Sequence, residues 1–402
     1  MKKKIGIVLW AHPHYGGVFQ YSLSIINAVA ALDHNQYDIT VFYRHQSWLK
    51  HAHEVQAAHI SWVRYRANIP LMVLGMTCKI AERHEFFLSL YRLLHPIYYS
   101  AKSRQIDLMI YPAPIALSFE MGTPYIIAVH DLQHRIHPEF PEVSAHGEWN
   151  RREYLFKHGS RNAAAVLAES ETGKKDLLNF YDVQKDRVHI LPYVPPLYVM
   201  NQRAADVMNK YGLPERYIFY PAQFWMHKNH IRLIEAIALI KREKGFDIPV
   251  VLVGSKKNAF KKTMKRVGEL GLSKQIIYLG YVTDEDMVGL YKNAQALVMP
   301  TFFGPSNIPQ LEAFLLGCPV VTSDVPGIYE QVGDAAILVD PASTQAIAAG
   351  IVAIWTDKKL RRELIQKGHE RIRSWTPEQF TLSFQGMLAK LFHDLQMDRS
   401  LL

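Results

Sequence analysis

One short segment of the sequence combines a loop rich in glycine and proline with the start of a helix. Residues 301–314 read TFFGPSNIPQLEAF, in which Asn307 suits a helix N-cap and Pro309 suits the first helical turn. The unpaired amides at such a helix N-terminus favour a negatively charged group such as a diphosphate. Glu312, one turn further along, could accept hydrogen bonds from ribose hydroxyls. The segment is also compatible with an ordinary capped helix, in which Glu312 complements the helix dipole.

Lys228 occurs in a second segment that could bind a phosphate. Residues 222–230, AQFWMHKNH, follow a predicted strand and open a predicted helix. The lysine charge and the oriented amides of the helix start could together hold a phosphate group. A solvent-exposed lysine in a loop explains the segment equally well.

His130 stands at the end of another predicted strand, in the stretch VHDLQHRIH. Open α/β sheets bind ligands at the carboxyl ends of their strands, so this position predicts a functional role for the histidine. Asp131, His134 and His137 follow closely and raise the alternative of a metal-dependent hydrolase. Their spacing matches no established zinc signature, and we therefore interpret His134 and His137 as surface loop residues.

Gly16 and Gly17 follow the first predicted strand. The pair would let the backbone approach a ligand at a helix start, or it is simply a tight turn. No G-x-G-x-x-G pattern occurs there, and the second predicted strand ends in Tyr43 and Arg44 rather than in an acidic residue that could hold a ribose. Both features disfavour a dinucleotide-dependent dehydrogenase.

Short apolar, β-branched runs alternate with helical stretches along the whole chain. Because continuous apolar strands between helices are typical of parallel sheets covered on both faces, the pattern predicts an α/β protein with two doubly wound domains. The predicted strands are residues 4–10, 37–43, 59–65, 106–112, 125–131, 163–170, 187–193, 216–223, 248–255, 276–282, 294–301, 319–324 and 335–340.

A proline-rich stretch, PYVPPLYVMNQ, interrupts this alternation and suits a linker. We therefore predict an amino-terminal domain over residues 1–195 and a carboxyl-terminal domain over residues 196–375. The remaining residues, 376–402, show apolar positions at helical spacing and are expected to form a helix that packs back on the amino-terminal domain.

The composition describes a globular protein with a basic surface. The chain has 402 residues, a formal net charge of +9 and 49% hydrophobic residues. Its two cysteines, Cys78 and Cys318, encode no disulfide framework, which favours a cytoplasmic location. The charge calls for anionic partners, but it is dispersed and no nucleic-acid-binding module is recognisable, so we expect no nucleic acid. The expected anionic partners are therefore phosphate-bearing small molecules or a membrane surface.

Residues 66–105 mix phenylalanine, tyrosine and leucine with lysine and arginine. One interpretation is an insertion whose helices bury the apolar residues against the first domain. The other is a basic and aromatic surface that docks peripherally on the cytoplasmic face of the inner membrane.

The quoted segments together resemble the retaining GT-B glycosyltransferases of family 4. The carboxyl half does so almost continuously, through YPAQFWMHKNHIRLIEA, VGS and the run IIYLGYVTDEDMVGLYKNAQALVMPTFFGPSNIPQLEAFLLGCPVVTSDVPGIYEQVGDAAILVDP. The amino half is similar more loosely, through YGGVFQYS, VHDLQH, VLAESETGKKDLLNFYDV and VHILPY. The resemblance implies the GT-B fold, in which two Rossmann-like domains face a central cleft. It also implies a nucleotide-sugar donor held mainly by the second domain and an acceptor held by the first.

The resemblance assigns roles to single residues by their positions. Glu312 matches the second glutamate of the family's E-x7-E motif, which binds the ribose, and Lys228 matches the lysine that grips the diphosphate. His130 matches a cleft histidine near the transferred sugar. These three are the expected catalytic residues. The expected donor-binding residues are Gly16, Gly17, Gln223, Lys228, Gly304, Pro305, Ser306, Asn307, Ile308 and Glu312.

The chain departs from the family pattern at two of these positions. Gly304 stands where the first glutamate of E-x7-E would fall, and Gln223 is the nearest equivalent of an arginine that usually precedes the lysine. The implied activity is retaining transfer of a sugar to a hydroxyl of a saccharide or lipid-linked acceptor, in cell-surface polysaccharide or glycolipid assembly. It would need no protein nucleophile, metal or cofactor. The departures suggest one alternative, a catalytically inactive nucleotide-sugar-binding subunit. A GT-B-fold sugar-nucleotide epimerase is a further alternative.

Overall fold

The computed structural model describes residues 2–12, 16–55, 59–66, 85–304 and 306–400. Within these residues the chain forms two entirely parallel sheets, one of seven strands and one of six, each flanked by helices. The prediction of an α/β protein with two doubly wound domains is therefore confirmed, and every predicted run contains a strand.

The first sheet has the strand order β3-β2-β1-β4-β5-β6-β7. Its strands are β1 Lys3–Leu9, β2 Tyr37–Tyr43, β3 Ile60–Arg64, β4 Leu108–Tyr111, β5 Tyr125–Ala128, β6 Ala165–Ala168 and β7 Val188–Ile190. Its helices are Gly17–Ala30, Trp48–Glu54, Glu85–Leu94, Pro96–Arg104, Leu117–Glu120, Gln133–Ile136, Pro141–Ser144, Glu148–Arg161 and Glu171–Phe180, with a 3₁₀ turn at Lys185–Arg187.

The second sheet repeats this plan with the order β10-β9-β8-β11-β12-β13. Its strands are β8 Ile218–Pro221, β9 Val250–Val253, β10 Ile276–Gly280, β11 Ala296–Met299, β12 Val320–Ser323 and β13 Ala336–Val339. Its helices are Leu197–Met200, Val207–Tyr211, His230–Lys244, Phe260–Glu269, Asp284–Asn293, Ile308–Leu315, Ile328–Val332, Thr344–Thr356 and Lys358–Arg373, with a 3₁₀ turn at Met226–Lys228.

Each sheet is covered on both faces, which explains why its strands read as unbroken apolar runs. All residues of β9, β11 and β12 are buried, as expected for parallel strands sandwiched between helices. The change from one core to the other falls near the predicted linker, since Val194 packs in the first domain and Val199 in the second.

The last helix, Pro377–Ser400, returns to the first domain and packs on the helix Gly17–Ala30. Its contact surface is a stripe of residues four positions apart, as expected for one face of a helix. The stripe consists of Phe380, Phe384, Leu388 and Phe392, all buried in the core that contains β1 and β2. The chain therefore crosses between the two domains twice.

We predict that Phe384→Ala destabilises the first domain by about 3–5 kcal/mol, because removing a fully buried aromatic side chain loses apolar burial and leaves a cavity. Leu382→Ala is the matched control on the same helix, where the side chain is 67% exposed, and it should change stability by less than about 0.5 kcal/mol. Urea unfolding of both variants measures the difference. Equal effects would show that the helix is only loosely attached.

Candidate functional site

The predicted site residues follow the central strands of the two sheets. In both sheets the strand order reverses beside the first strand, between β1 and β4 and between β8 and β11. Such switch points are where open α/β sheets bind ligands. Gly16 and Gly17 follow β1, while Gln223 and Lys228 follow β8 and the segment 304–307 follows β11.

The glycine turn of the first domain lies directly against the second domain. Gly16 has φ +59°, a conformation that favours glycine. A Cβ atom added at Gly16 would lie 4.0 Å from Nε2 of Gln223, and one added at Gly17 would lie 3.7 Å from Cδ1 of Ile308. Residues without side chains thus allow the two domains to approach closely at this point.

Lys228 reaches the loop that precedes the helix Ile308–Leu315. It ends the 3₁₀ turn Met226–Lys228, which is fixed because the side-chain amide of Asn229 donates to the carbonyl oxygens of Pro300 and Pro341, each at 2.8 Å. The Lys228 ammonium donates to Oδ1 of Asn307 at 3.3 Å. A cation therefore lies next to a helix N-terminus.

The pKa of the half-buried Lys228 is lowered to about 8. Burial is the largest cause, because it disfavours the charged ammonium. Asp131 and Glu142 oppose the shift by attracting the charge. An anion bound beside Lys228 would stabilise the charged ammonium and raise this pKa.

Asn307 occupies the N-cap position of the helix Ile308–Leu315, but its side chain makes no capping hydrogen bond. The expectation of a side-chain cap is therefore wrong. The side chain instead accepts from Lys228 and donates to the Gly304 carbonyl oxygen at 3.3 Å, so it orders the loop rather than the helix. Its backbone N–H donates to Oε1 of Gln331 at 2.8 Å. Pro309 lies in the first helical turn as predicted, and Pro305 lies outside the described residues.

Glu312 is buried in the same helix and is held by two tyrosines. The hydroxyl of Tyr291 donates to its Oε2 at 2.6 Å, and the hydroxyl of Tyr198 donates to its Oε1. Burial raises the pKa of Glu312, and the two tyrosine hydrogen bonds partly offset that effect. Both carboxylate oxygens keep lone pairs that can accept a further hydrogen bond.

His130 follows β5 and forms a buried pair with Glu169. Its Nδ1 contacts Oε1 of Glu169, its Nε2 donates to the Pro112 carbonyl oxygen at 2.9 Å, and the hydroxyl of Tyr193 lies 3.2 Å from its Nδ1. Burial lowers the pKa of His130, but attraction by Glu169 outweighs it, and the net pKa is raised. Since a carbonyl and a carboxylate both accept, the geometry requires protons on both ring nitrogens, as in an imidazolium.

The remaining residues of the alternative metal site have separate partners. Asp131 pairs with Arg152 at 3.0 Å, His134 with Glu153 at 3.3 Å and His137 with Glu139 at 2.9 Å. Across the part of the chain that the structure describes, no three His, Cys, Asp or Glu side chains converge as metal ligands. The structure therefore does not assemble these residues into one site. The interpretation of His134 as a surface loop residue is wrong, because its side chain is fully buried in the helix Gln133–Ile136.

Gln223, at the position of the expected arginine, makes a contact within its own loop. Its Oε1 accepts from the indole nitrogen of Trp225 at 3.1 Å, while its amide nitrogen faces Gly16. A neutral amide thus occupies this part of the cleft, whereas Lys228 is a cation that contacts Asn307 in the loop after β11.

Three carboxylates that bridge the domains were missed by sequence reasoning. Glu142 accepts from the backbone and ring nitrogens of His227 at 2.8 and 2.6 Å and from the side chain of Asn258 at 2.8 Å. Burial raises the pKa of Glu142, but these hydrogen bonds lower it to about 2. Burial also lowers the pKa of His227 to about 4, so the ring is neutral near pH 7.

The other two bridging carboxylates lie at Glu169 and Glu330. Glu169 accepts from the hydroxyl of Ser306 at 2.5 Å. Glu330 accepts from the backbone nitrogens of Glu171 and Thr172, at 2.7 and 3.0 Å, and so caps the helix Glu171–Phe180 from the other domain. For Glu169 a signal existed, since it directly follows a predicted strand in VLAES. For Glu142 and Glu330 the sequence holds none.

The described part of residues 66–105 supports both interpretations of that segment. Its helices bury Leu88, Tyr91, Ile97 and Ala101 but expose about half of Leu93, Leu94 and Tyr99. Residues 67–84 lie outside the described residues. No described helix is both long enough and apolar enough to cross a bilayer.

Comparisons with known proteins give a consistent picture. O-antigen chain mannosyltransferase B of Escherichia coli is 27% identical over 314 residues, covering 76% of this chain and 81% of that protein. A serotype-specific mannosyltransferase WbdA of the same organism is 27% identical over 237 residues, but the chain covers only 29% of its length. The solved structure of Alr3699/HepE from Anabaena in complex with UDP and glucose superposes with a TM-score of 0.71 at 16% identity, covering 96% of this chain and all of that one.

The structure of WaaG, a glycosyltransferase involved in lipopolysaccharide biosynthesis, superposes with a TM-score of 0.67 at 16% identity, covering 95% of this chain and 98% of that one. Two family models match complementary parts of the chain. The model described as Glycosyltransferase Family 4 matches residues 15–193, and the model described as Glycosyl transferases group 1 matches residues 205–371. Together they account for both domains and for the cleft residues between them, and the chain therefore belongs to glycosyltransferase family 4, with the GT-B fold.

Proposed function

We propose that the protein is a retaining glycosyltransferase that moves a sugar from a nucleotide-sugar donor to a hydroxyl of a saccharide or lipid-linked acceptor. The observation that carries the proposal is the position of the Lys228 ammonium beside the N-terminus of the helix Ile308–Leu315, opposite the glycine turn at Gly16. The ammonium and the positive end of the helix dipole suit a diphosphate, which needs positive charge in a confined space.

In this proposal the protein promotes sugar transfer by stabilising the leaving group, which is the nucleoside diphosphate. In the proposed reaction the bond between the sugar C1 and the diphosphate oxygen breaks, and the acceptor oxygen bonds to C1 on the same face. The acceptor proton passes to an oxygen of the departing diphosphate. Lys228 and the positive end of the helix Ile308–Leu315 stabilise the charge that develops there, so neither a protein nucleophile nor a metal is required. The closed domains keep water from the donor.

The sugar is proposed to be mannose. This rests on relatives named as mannosyltransferases, namely the O-antigen enzyme of Escherichia coli and the MMP alpha-(1->4)-mannosyltransferase of Mycolicibacterium hassiacum, which is 26% identical over 274 residues. The O-antigen relative also supports a polysaccharide acceptor of the cell surface. We propose that such an acceptor is met at the cytoplasmic face of the membrane, with peripheral contact through the exposed Leu93, Leu94 and Tyr99.

We predict that Lys228→Met lowers the rate of sugar transfer by roughly 100-fold or more, as for loss of one charge-stabilising donor in other enzymes. Release of nucleoside diphosphate is measured from mannose, glucose and rhamnose nucleotides carrying different bases, with and without membrane extract as the acceptor source. Lys265→Met is the matched control, since that side chain is 80% exposed on the helix Phe260–Glu269. NMR of the product anomer tests retention, and treatment with EDTA tests independence of metals.

The alternatives predict different results in the same assay. An inactive nucleotide-sugar-binding subunit, suggested by Gly304 and Gln223, would bind donors without releasing the diphosphate. A sugar-nucleotide epimerase would convert one donor into another without any acceptor. Equal activity of the Lys228→Met and Lys265→Met variants would contradict the assigned role of the lysine.

We predict that nucleotide binding weakens above pH 8 and takes up a proton there. The pKa of Lys228 is lowered to about 8 in the free protein, so the ammonium is present below this pH and is lost above it. A bound diphosphate raises the pKa again, and the dissociation constant should therefore rise up to about tenfold per pH unit above pH 8. Calorimetry at pH 7 and 9, in buffers of different ionisation enthalpy, measures the proton uptake. Lys228→Arg should remove the pH dependence, because arginine does not titrate in this range.

A further inference from the structure

The loop after β11 has little room for the carboxylate that the family pattern places there. Gly304 has φ +129°, a backbone conformation that residues with a side chain rarely adopt. A Cβ atom at this position would lie 3.1 Å from both the nitrogen and the oxygen of the Asn307 side-chain amide. Because that amide also holds Lys228, a side chain at position 304 would disturb the diphosphate-binding end of the site.

A carboxylate from the opposite domain lies against the same loop. Glu169 directly follows β6, and its side chain is only 3% exposed. Its Oε2 accepts from the hydroxyl of Ser306 at 2.5 Å, and Ser306 is two residues from Gly304. Negative charge is therefore present beside the loop, but it comes from the first domain.

The carboxylate of Glu169 is held in a fixed orientation. Its Oε1 pairs with the His130 ring, which in turn donates to the carbonyl oxygen of Pro112. Tyr193 adds a hydroxyl within hydrogen-bond distance of the same ring nitrogen, at 3.2 Å. A buried carboxylate needs such cationic and polar partners. These contacts leave Oε2 directed toward the second domain.

We propose that Glu169 accepts hydrogen bonds from hydroxyls of the transferred sugar and so replaces the glutamate that Gly304 lacks. The inference rests on the proposed function and extends it to the recognition of the sugar. The Ser306 hydroxyl is the same kind of donor as a sugar hydroxyl, and its bond to Oε2 shows that this oxygen can receive one. In the complex a sugar hydroxyl takes the place of Ser306 or uses a remaining lone pair.

This arrangement moves the sugar-reading group to the opposite side of the cleft. The second domain binds the nucleotide, whereas the first domain recognises the sugar through Glu169. Discrimination between donors is then expressed only when the domains close, because Glu169 reaches the loop 304–307 only across the junction.

The test compares Glu169→Gln and Glu169→Ala with the wild-type protein and with Glu171→Gln, an exposed control two residues away. The binding of the nucleoside diphosphate alone is measured by calorimetry, and kcat and KM are measured with the donor sugar nucleotide and its monodeoxy analogues. Circular dichroism melting establishes that each variant is folded. Glu169→Gln keeps the side-chain shape, so it remains informative if Glu169→Ala does not fold.

We expect nucleoside diphosphate affinity to change by less than about twofold in both variants, while kcat/KM for the full donor falls by about 10- to 100-fold in Glu169→Ala. In the wild-type protein, removing the hydroxyl that Glu169 binds should cost a similar factor. In Glu169→Ala the same removal should cost little, because the partner is already absent, and the two losses are then not additive. Glu169→Gln should lie between the two.

Equal sensitivity of wild type and Glu169→Ala to every deoxy donor would overturn the inference and leave the proposed function intact, since Glu169 would then only position His130. A loss of nucleoside diphosphate affinity in both variants would also overturn the inference and leave the proposed function intact. Absence of donor binding and turnover in the wild-type protein would overturn the proposed function together with this inference.

Discussion

Charge that is buried where two domains meet must be neutralised by contacts across the junction, and this requirement governs the arrangement of the cleft. A carboxylate taken out of water is stable only with hydrogen bonds or an ion pair around it. Glu169 satisfies the requirement with partners from both domains, whereas Glu142 and the more exposed Glu330 receive their donors from the opposite domain. The relative position of the domains is therefore set by directional contacts, and the cleft residues are aligned as a consequence.

The polar contacts are supported by a smaller apolar one. Ile308 and Leu311, on the helix that follows the loop after β11, are buried in the core of the first domain. The helix whose N-terminus faces the cleft thus also belongs to the packing of the opposite domain. A ligand that contacts this N-terminus and the glycine turn experiences both domains at once, which links occupancy of the site to closure.

Sequence patterns predicted the fold well because the determining signal is local. Strands such as Val250–Val253 are short apolar runs bounded by helices, and alternation of this kind allows few architectures. The positions of Lys228, His130 and Gly16 at strand ends followed from the same rule. The partners of these residues could not be predicted from that rule, because Glu142 and Glu169 are distant in sequence from the groups they contact. The side-chain cap expected at Asn307 is absent for a similar reason. Its amide oxygen accepts a hydrogen bond from Lys228, which lies 79 positions away in the sequence.

The return of the last helix to the first domain limits how the cleft can open. Both crossings between the domains pass one edge of the molecule, where the indole nitrogen of Trp375 donates to the carbonyl oxygen of Pro192 at 3.2 Å. Glu330 lies beside this point, in the lining of the same cavity of about 220 Å³. The partners of Glu142 follow β8 and β9, on the far side of β11 from β12. A rotation pivoting at the double crossing would therefore separate the Glu142 contact more than the Glu330 contact, and the cleft would open as a wedge with its mouth toward Glu142.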